Sequence, residues 1–223
     1  MFDRICAVTT ALFCGSFAAA DVFYDAVGDI AVGDANLDIT QVEVTNDDSN
    51  LYMTVSLNGW QNWTKVLLFL EVPGEGTVSG FDNPWDRGIT TDWNVSNFVG
   101  SYFDNGNVAQ NWSLDAFTWQ LDYDTTPAVD QGLATITYTL SLGDLGLNAG
   151  DTLSFDVATT GANMGDPGID LASTSTVQPG WNEGFSASVT PLTYTLPSTP
   201  VVPGIGGIAA LAGFGLAGRR RRR

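Results

Sequence analysis

Apolar and polar residues alternate along most of the middle of the chain, with the period of two that is typical of β-strands. The alternating segments are residues 51–57, 117–123, 134–142, 153–157, 185–189 and 192–196. Each is predicted to be a strand with one face in a core and the other in water. In two of these segments the predicted core-facing residues are Phe117, Trp119, Leu121 and Tyr123, and Phe185, Ala187 and Val189.

Two segments depart from strict alternation. Val66 to Val72 carries apolar residues at both odd and even positions, which predicts a central strand covered on both faces. Between Ile39 and Val42 the apolar residues change parity, which predicts a β-bulge.

Turn-forming residues separate these segments, and no long stretch of the body has a helical period. The turn signals are residues 46–50, 73–74, 104–106 and 148–150. About nine or ten short strands with this spacing are typical of a sandwich. We therefore predict an all-β fold, a single antiparallel β-sandwich that is jelly-roll-like.

The first 20 residues have the layout of a secretory signal peptide. Arg4 precedes a largely apolar stretch, and Ala18 and Ala20 supply the small residues that signal peptidase requires. We expect cleavage after Ala20. Residues 1–20 are thus assigned to the signal peptide, residues 21–196 to the β-sandwich domain, and residues 197–204 to a proline-rich linker with a sorting motif.

Residues 205–223 combine a short apolar run, predicted to be a transmembrane helix, with a terminal block of five arginines. The residues that carry the signal are Val202, Pro203 and Gly204, followed by Arg219, Arg220, Arg221, Arg222 and Arg223. This order resembles the PEP-CTERM sorting tail of bacterial exported proteins. The resemblance implies transient insertion into the inner membrane, cleavage by an exosortase-like protease and delivery to the cell surface. Residues 196–200 also resemble a sortase signal, which implies attachment to the cell wall instead.

The body of the chain is strongly acidic. Residues 21–198 carry 24 acidic residues against Lys65 and Arg87, a net charge of about −22. Such a charge repels nucleic acid and anionic lipid, so nucleic acid is excluded as a partner. Lys65 is expected to be a surface charge partner, and Arg87 is expected to pair with Asp86 or Asp82.

The residue types needed for most nucleophilic catalysis are missing. The chain contains no histidine, and Cys6 and Cys14 both lie in the signal peptide. Ser-His and Cys-His arrangements therefore cannot form in the mature protein. Carboxylate pairs of the kind used by glycoside hydrolases remain an alternative, although no spacing distinguishes one pair. We predict that the protein is not an enzyme.

A second resemblance lies near the start of the body. The pattern comprises Asp25 and Asp29, residues 36–39, Val42 and Val44, residues 46–47, residues 50–52 and Val55. It is similar to the opening of DOMON-like domains and family 9 carbohydrate-binding modules. The resemblance implies a β-sandwich that holds a sugar, a haem or no known ligand. A haem iron would find no histidine ligand in this chain, and Met53 is predicted to face the core, so the haem branch has little support.

Calcium is the candidate cofactor, because hard oxygen ligands suit an acidic exported protein. Two loops supply the candidate ligands Asp82, Asp86, Asp166 and Asp170. Neither loop has the spacing of an EF-hand. The alternative is that these residues form Asx-type hydrogen bonds in turns.

Tryptophans in predicted loops are the candidate ligand-binding residues. They are Trp60 and Trp63, which are the first choice, together with Trp181 and Trp85. Aromatic faces beside amides and carboxylates suit sugars, whose C–H faces stack while their hydroxyls form hydrogen bonds. The alternative is that these rings close the ends of the sandwich.

The sequence predicts a secreted or cell-surface bacterial protein, inserted in the membrane before processing. Its expected partners are signal peptidase, an exosortase-like protease and extracellular polysaccharide. The alternatives are a carboxylate-based glycan hydrolase and a purely structural surface protein with no glycan ligand.

The first prediction concerns processing. Mature surface protein from the bacterial host should begin at Asp21 and should lack Arg219 to Arg223, because signal peptidase and the sorting protease remove the two ends. Intact-mass spectrometry checks both ends, and a surface-exposed protein that retains the arginine block would contradict the sorting-tail interpretation.

Overall fold

The computed structural model describes residues 20–74 and 83–197. The sorting residues 202–204 and 219–223 and the signal-peptide residue Ala18 lie outside these ranges, as does Asp82. In the described residues, no helix has the length and apolar character needed to cross a bilayer.

Strands dominate the described ranges, and the helical structure there is one short 3-10 turn, Ala35–Leu37. In chain order the strands are β1 (Asp21–Tyr24), β2 (Ile39–Asn46), β3 (Asn50–Leu57), β4 (Lys65–Glu71), β5 (Ile89–Thr91), β6 (Asn97–Tyr102), β7 (Val108–Asp115), β8 (Thr118–Thr125), β9 (Ala128–Asp130), β10 (Thr135–Ser141), β11 (Thr152–Thr160), β12 (Gly168–Leu171), β13 (Ser186–Ser188) and β14 (Leu192–Thr195).

Two large antiparallel sheets contain most of these strands. The first sheet has the order β1-β2-β3-β10-β9. The second has the order β12-β11-β4-β6-β7-β8, with β14 also paired to β11. The predicted all-β, antiparallel class is confirmed, with one exception, because β5 and β13 pair in parallel.

One face of each large sheet contributes to a shared hydrophobic core. The first sheet supplies residues such as Val42, Met53 and Ile136, and the second supplies Leu68 and Phe155. All five side chains are fully buried. The alternation found in the sequence therefore correctly predicts the inward faces of β3, β10 and β11.

The central strand and the bulge predicted from the sequence are both confirmed. β4 lies between β11 and β6, and its residues from Lys65 to Leu70 are all buried. The pairing of β2 with β3 shifts register between Ile39 and Gln41. The outward residues of β4, Leu67 and Phe69, belong to a second apolar cluster on the outer face of this sheet.

The predicted core face of residues 117–123 is wrong. Phe117 is 79% exposed and Leu121 is 47% exposed, while Trp119 and Tyr123 are half-buried. β8 is the last strand of its sheet, so the alternating pattern is present but most of its apolar face extends past the core.

The predicted core face of residues 185–189 is inverted. Phe185 and Val189 are exposed, whereas Ser186 and Ser188 are fully buried. Ser188 Oγ donates a hydrogen bond of 2.5 Å to the buried carboxylate of Asp156 and accepts one from Trp93 Nε1. The hydrogen bonds required by a buried carboxylate therefore decide which face of β13 turns inward.

A buried hydrogen bond in the core gives a prediction of stability. The hydroxyls of Ser101 and Tyr138 lie 2.6 Å apart, and both residues are fully buried. Ser101→Ala leaves the Tyr138 hydroxyl without a partner, so we expect it to lower the free energy of unfolding by about 1–3 kcal/mol. The double variant with Tyr138→Phe should lose less, because no buried hydroxyl is left unpaired. Urea denaturation measures both, and a double variant less stable than Ser101→Ala would contradict this assignment.

Candidate functional site

Three carboxylates from distant parts of the chain meet beside the first strand. Asp25 and Asp29 follow β1, and Asp170 lies on β12 in the other large sheet. One carboxylate oxygen from each lies within 4.8 Å of the others. We call these three residues the carboxylate cluster.

Local hydrogen bonds hold the cluster in place. The backbone N–H of Gly28 donates to both carboxylate oxygens of Asp38, at 3.1 and 2.9 Å, which fixes the loop that carries Asp25 and Asp29. Gly28 has a φ of 85°, which favours glycine. Asp170 Oδ2 accepts a 2.6 Å hydrogen bond from the backbone N–H of Ile39, which joins the two sheets at this point.

The cluster has fewer donors than its oxygens require. Both carboxylate oxygens of Asp29 and Oδ2 of Asp25 are buried, and they have no hydrogen-bond partner in the described residues. Burial, reinforced by the charge of Asp29, raises the pKa of Asp25 to about 7. Burial, reinforced by the charge of Asp25, raises the pKa of Asp170 to about 8. Burial also raises the pKa of Asp29.

This geometry matches the needs of a calcium ion. Calcium binds oxygen ligands at 2.3–2.6 Å, so ligands on opposite sides of one ion are separated by up to about 5 Å. Three carboxylates supply up to six oxygens, and an ion would offset the charge that burial makes unfavourable. The cluster could therefore hold a divalent cation with Asp25, Asp29 and Asp170 as ligands.

The cluster differs from the metal ligands predicted from the sequence. Of that set only Asp170 belongs to it. Asp166 is half-buried and accepts a 2.7 Å hydrogen bond from the backbone N–H of Asn163. Asp86 is exposed. Because Asp82 lies outside the described residues, a site that includes it stays a prediction.

A second feature is an open groove of about 430 Å³ on the outer side of the second sheet. Its lining residues are Lys65, Trp85, Arg87, Tyr102, Asp104, Asn105 and Ala162. We call this the aromatic groove. Its size falls within the usual range for ligand pockets.

Neighbouring strands position the Trp85 ring. A Cβ atom at Gly100 on β6 would lie 2.5 Å from Trp85 Cε2, so only glycine lets the indole lie against the sheet here. Trp85 Nε1 donates a 2.9 Å hydrogen bond to the side chain of Gln110, which is paired with Gly100 on the adjacent strand. The centroids of the Trp85 and Tyr102 rings lie 6.3 Å apart. Two half-buried aromatic rings are thus fixed side by side.

Each ring also has a cation nearby. Lys65 Nζ lies 5.9 Å from the centroid of the Tyr102 ring, and the Arg87 guanidinium lies 5.7 Å from that of Trp85. Both distances are within the range of cation–π attraction. The groove therefore combines apolar ring faces with charged and amide groups.

The roles expected for these cations need correction. Lys65 is only 6% exposed, and it pairs with the exposed Asp104 at 2.9 Å. Arg87 makes no ion pair with Asp86, and its guanidinium donates to the backbone carbonyls of Ala162 and Asn163. The alternative pairing with Asp82 lies outside the described residues. Burial lowers the pKa of Arg87, and the charges of Asp166 and Asp86 partly oppose this shift. The groove thus lies over a desolvated guanidinium.

The structure does not gather the four candidate tryptophans into one site. Only Trp85 lines the aromatic groove. Trp60 packs on the shared core, 5.2 Å from the Phe103 ring, which supports the alternative that it closes an end of the fold. Trp63 is half-buried. Trp181 is half-buried and lies over Gly161, the residue before Ala162 of the groove.

Sequence reasoning missed both the cluster and the groove. The signal for the cluster was the pair Asp25 and Asp29, which was noticed only as part of a family pattern. The sequence signal for the groove is the scarcity of basic residues. Lys65 and Arg87 are the two basic residues in the described ranges, and both line the groove.

Comparisons with known proteins add no family to this description. No protein-family model matches the chain, and no curated protein matches it.

The carboxylate cluster predicts how pH and calcium affect stability. The raised pKa values of Asp25 and Asp170 mean that the folded protein binds more protons than the unfolded chain, in which aspartate titrates near 3.8. In the absence of divalent cations, stability should therefore fall as pH rises from about 4 to 8. Calcium binds the deprotonated carboxylates. A few millimolar calcium should raise the melting temperature by roughly 4–8 °C at pH 8 and by less at pH 5.

Two isosteric variants separate this site from general charge effects. Asp29→Asn should abolish the calcium response, whereas Asp86→Asn, an exposed aspartate outside the cluster, should retain it. Thermal melts in calcium and in NaCl of matched ionic strength make the measurement. A calcium response that survives in Asp29→Asn would rule out the cluster as the ion's site.

Proposed function

We propose that this protein is an exported, cell-surface β-sandwich without catalytic activity that contacts extracellular polysaccharide through the aromatic groove. The sandwich, jelly-roll-like in outline, is supported by two antiparallel sheets that share one core. The single observation that carries the ligand proposal is the pair of fixed rings, Trp85 and Tyr102, with polar groups beside them.

The rings and their neighbours suit a carbohydrate. The C–H faces of a sugar stack on aromatic rings, and its hydroxyls form hydrogen bonds with groups such as the Asn105 amide and the Asp104 carboxylate. Each ring contributes about 1 kcal/mol, so the two rings supply roughly half of the about 4 kcal/mol that corresponds to a dissociation constant of 1 mM, and the site is weak. Weak binding of this kind suits a protein that meets many copies of a repeating polymer.

Calcium is a second part of the proposal, as a structural cofactor bound by the carboxylate cluster. The specific observation in its favour is the set of buried oxygens of Asp25 and Asp29 that lack donors. An ion there would link the segment after β1 to β12.

Delivery to the surface follows from the two ends of the chain. The signal peptide and the tail that resembles PEP-CTERM sorting signals support export, transient membrane insertion and processing by an exosortase-like protease. A released or surface-attached product then meets the extracellular polysaccharide.

The hydrolase alternative has less support. A glycoside hydrolase needs two carboxylates beside the scissile bond. Asp104 is the one acidic residue among the described residues that line the aromatic groove, and buried oxygens in the carboxylate cluster are closed to a substrate. The alternative of a structural protein without a glycan ligand is decided by the binding experiment.

The test is a panel of soluble oligosaccharides added to the exported protein, followed by tryptophan fluorescence and calorimetry. Trp85→Ala should weaken binding about fivefold, because it removes a ring that contributes about 1 kcal/mol. Phe117→Ala is the matched control, because Phe117 is an exposed aromatic residue at the turn between β7 and β8. This turn is at the far end of β7 from the groove, since the groove residue Tyr102 pairs with Val108 at the start of β7. Equal affinities for the two variants would refute the groove as the site, and sugar release would favour the hydrolase.

A further inference from the structure

The charges of the described residues are unevenly distributed. Lys65 and Arg87 are the two basic residues in these ranges, and both line the aromatic groove. Of the many acidic residues, only Asp104 is among the described residues that line it. Among the described lining residues of the groove, basic side chains therefore outnumber acidic ones, on a strongly acidic protein.

The two cations differ in how well they are neutralised. Lys65 Nζ forms an ion pair with Asp104, whose side chain is 45% exposed. In the described part of the chain this is the one ion pair, so no carboxylate of the described residues lies within ion-pair distance of Arg87. Its guanidinium donates only to neutral carbonyls, although it is 7% exposed. A buried cation without an anionic partner is unfavourable, and a bound anion would relieve this.

We infer that the aromatic groove binds an acidic glycan whose sugars carry carboxylates, with the sugar faces on Trp85 and Tyr102 and a carboxylate beside Lys65 and Arg87. This inference rests on the proposed function and specifies its ligand class. A neutral sugar would use the rings and the amide, but it would leave both cations unused.

The overall negative charge of the protein opposes this binding only at a distance. At physiological ionic strength, interactions between exposed charges are screened beyond about 8 Å. Contacts inside the groove are shorter than this. A uronic acid segment short enough to lie within the groove should therefore bind in spite of the net charge.

Asp104 provides a sensitive test, because it competes with the ligand for Lys65. Asp104→Asn removes the competing charge and leaves a residue of the same shape. Its effect is best measured as selectivity, the ratio of affinities for a galacturonic acid tetramer and for a neutral galactose tetramer. We expect the selectivity to rise about three- to tenfold. Lys65→Met should lower it, with a thermal melt to confirm that this variant is folded.

Asp115→Asn is the matched control. Asp115 is the exposed last residue of β7, before the turn to β8, and the substitution changes the net charge by the same amount. Titrations use the exported protein without added divalent cations, so that uronic acids are not captured through calcium. Selectivity should change in Asp104→Asn and remain at the wild-type value in Asp115→Asn.

The outcomes separate this inference from the proposed function. If Asp104→Asn and Asp115→Asn have the same selectivity, or if the wild type prefers the neutral tetramer, the acidic ligand is refuted. Neutral binding that Trp85→Ala weakens about fivefold would still support the glycan function. If neither tetramer binds at millimolar concentration, both the proposed function and this inference fail.

Discussion

The constraint on which the candidate sites depend is that the second sheet is apolar on both faces. One face meets the shared core, and the other presents Leu67 and Phe69 of β4, which must also be kept from water. No third large sheet covers them in the described residues. Three residues pack on this outer face: the partly buried Trp85, which precedes β5, the buried Ile89 of β5, and Leu171 of β12. The need to cover this face therefore positions both Trp85 in the groove and the strand that carries Asp170.

The same covering layer leaves several carboxylates buried, and these differ in the number of hydrogen-bond donors that they receive. Asp156 on β11 is fully buried, and it accepts hydrogen bonds from Ser173 and Ser188 that offset part of its desolvation. Burial still raises the pKa of Asp156, to about 6. Asp170 has two backbone donors, whereas Asp29 has none in the described residues. Because Asp156 has hydrogen-bond donors and Asp29 has none among the described residues, a cation is expected at the carboxylate cluster and not at Asp156.

The sequence predicts local features of this fold well and long-range ones poorly. A period of two correctly assigns the buried faces of β3 and β10, because both strands lie inside a sheet with one face on the core. The same rule fails at β8, since alternation does not reveal that a strand lies at an edge. It fails at β13 because hydrogen bonding to Asp156 outweighs the burial of Phe185 and Val189. The meeting of Asp25 with Asp170 depends on how strands from two sheets come together, which no local pattern encodes.

The tryptophans illustrate why residue type alone does not identify a site. Trp60 and Trp93 lie in segments that connect strands, yet one packs on the core and the other is buried with its Nε1 bonded to Ser188. Trp85 differs because Gly100 lets its ring lie on the outer face of the sheet, where part of it stays accessible.

The charged residues around the Trp85 ring determine which ligands the groove favours. Asp104 is the exposed partner of its ion pair with the buried Lys65, so a ligand carboxylate can take its place while Lys65 stays paired. Arg87 requires no such replacement, since its present partners are neutral carbonyls. The groove therefore offers an anion two cations: Lys65, whose partner Asp104 is exposed, and Arg87, whose hydrogen-bond partners among the described residues are neutral.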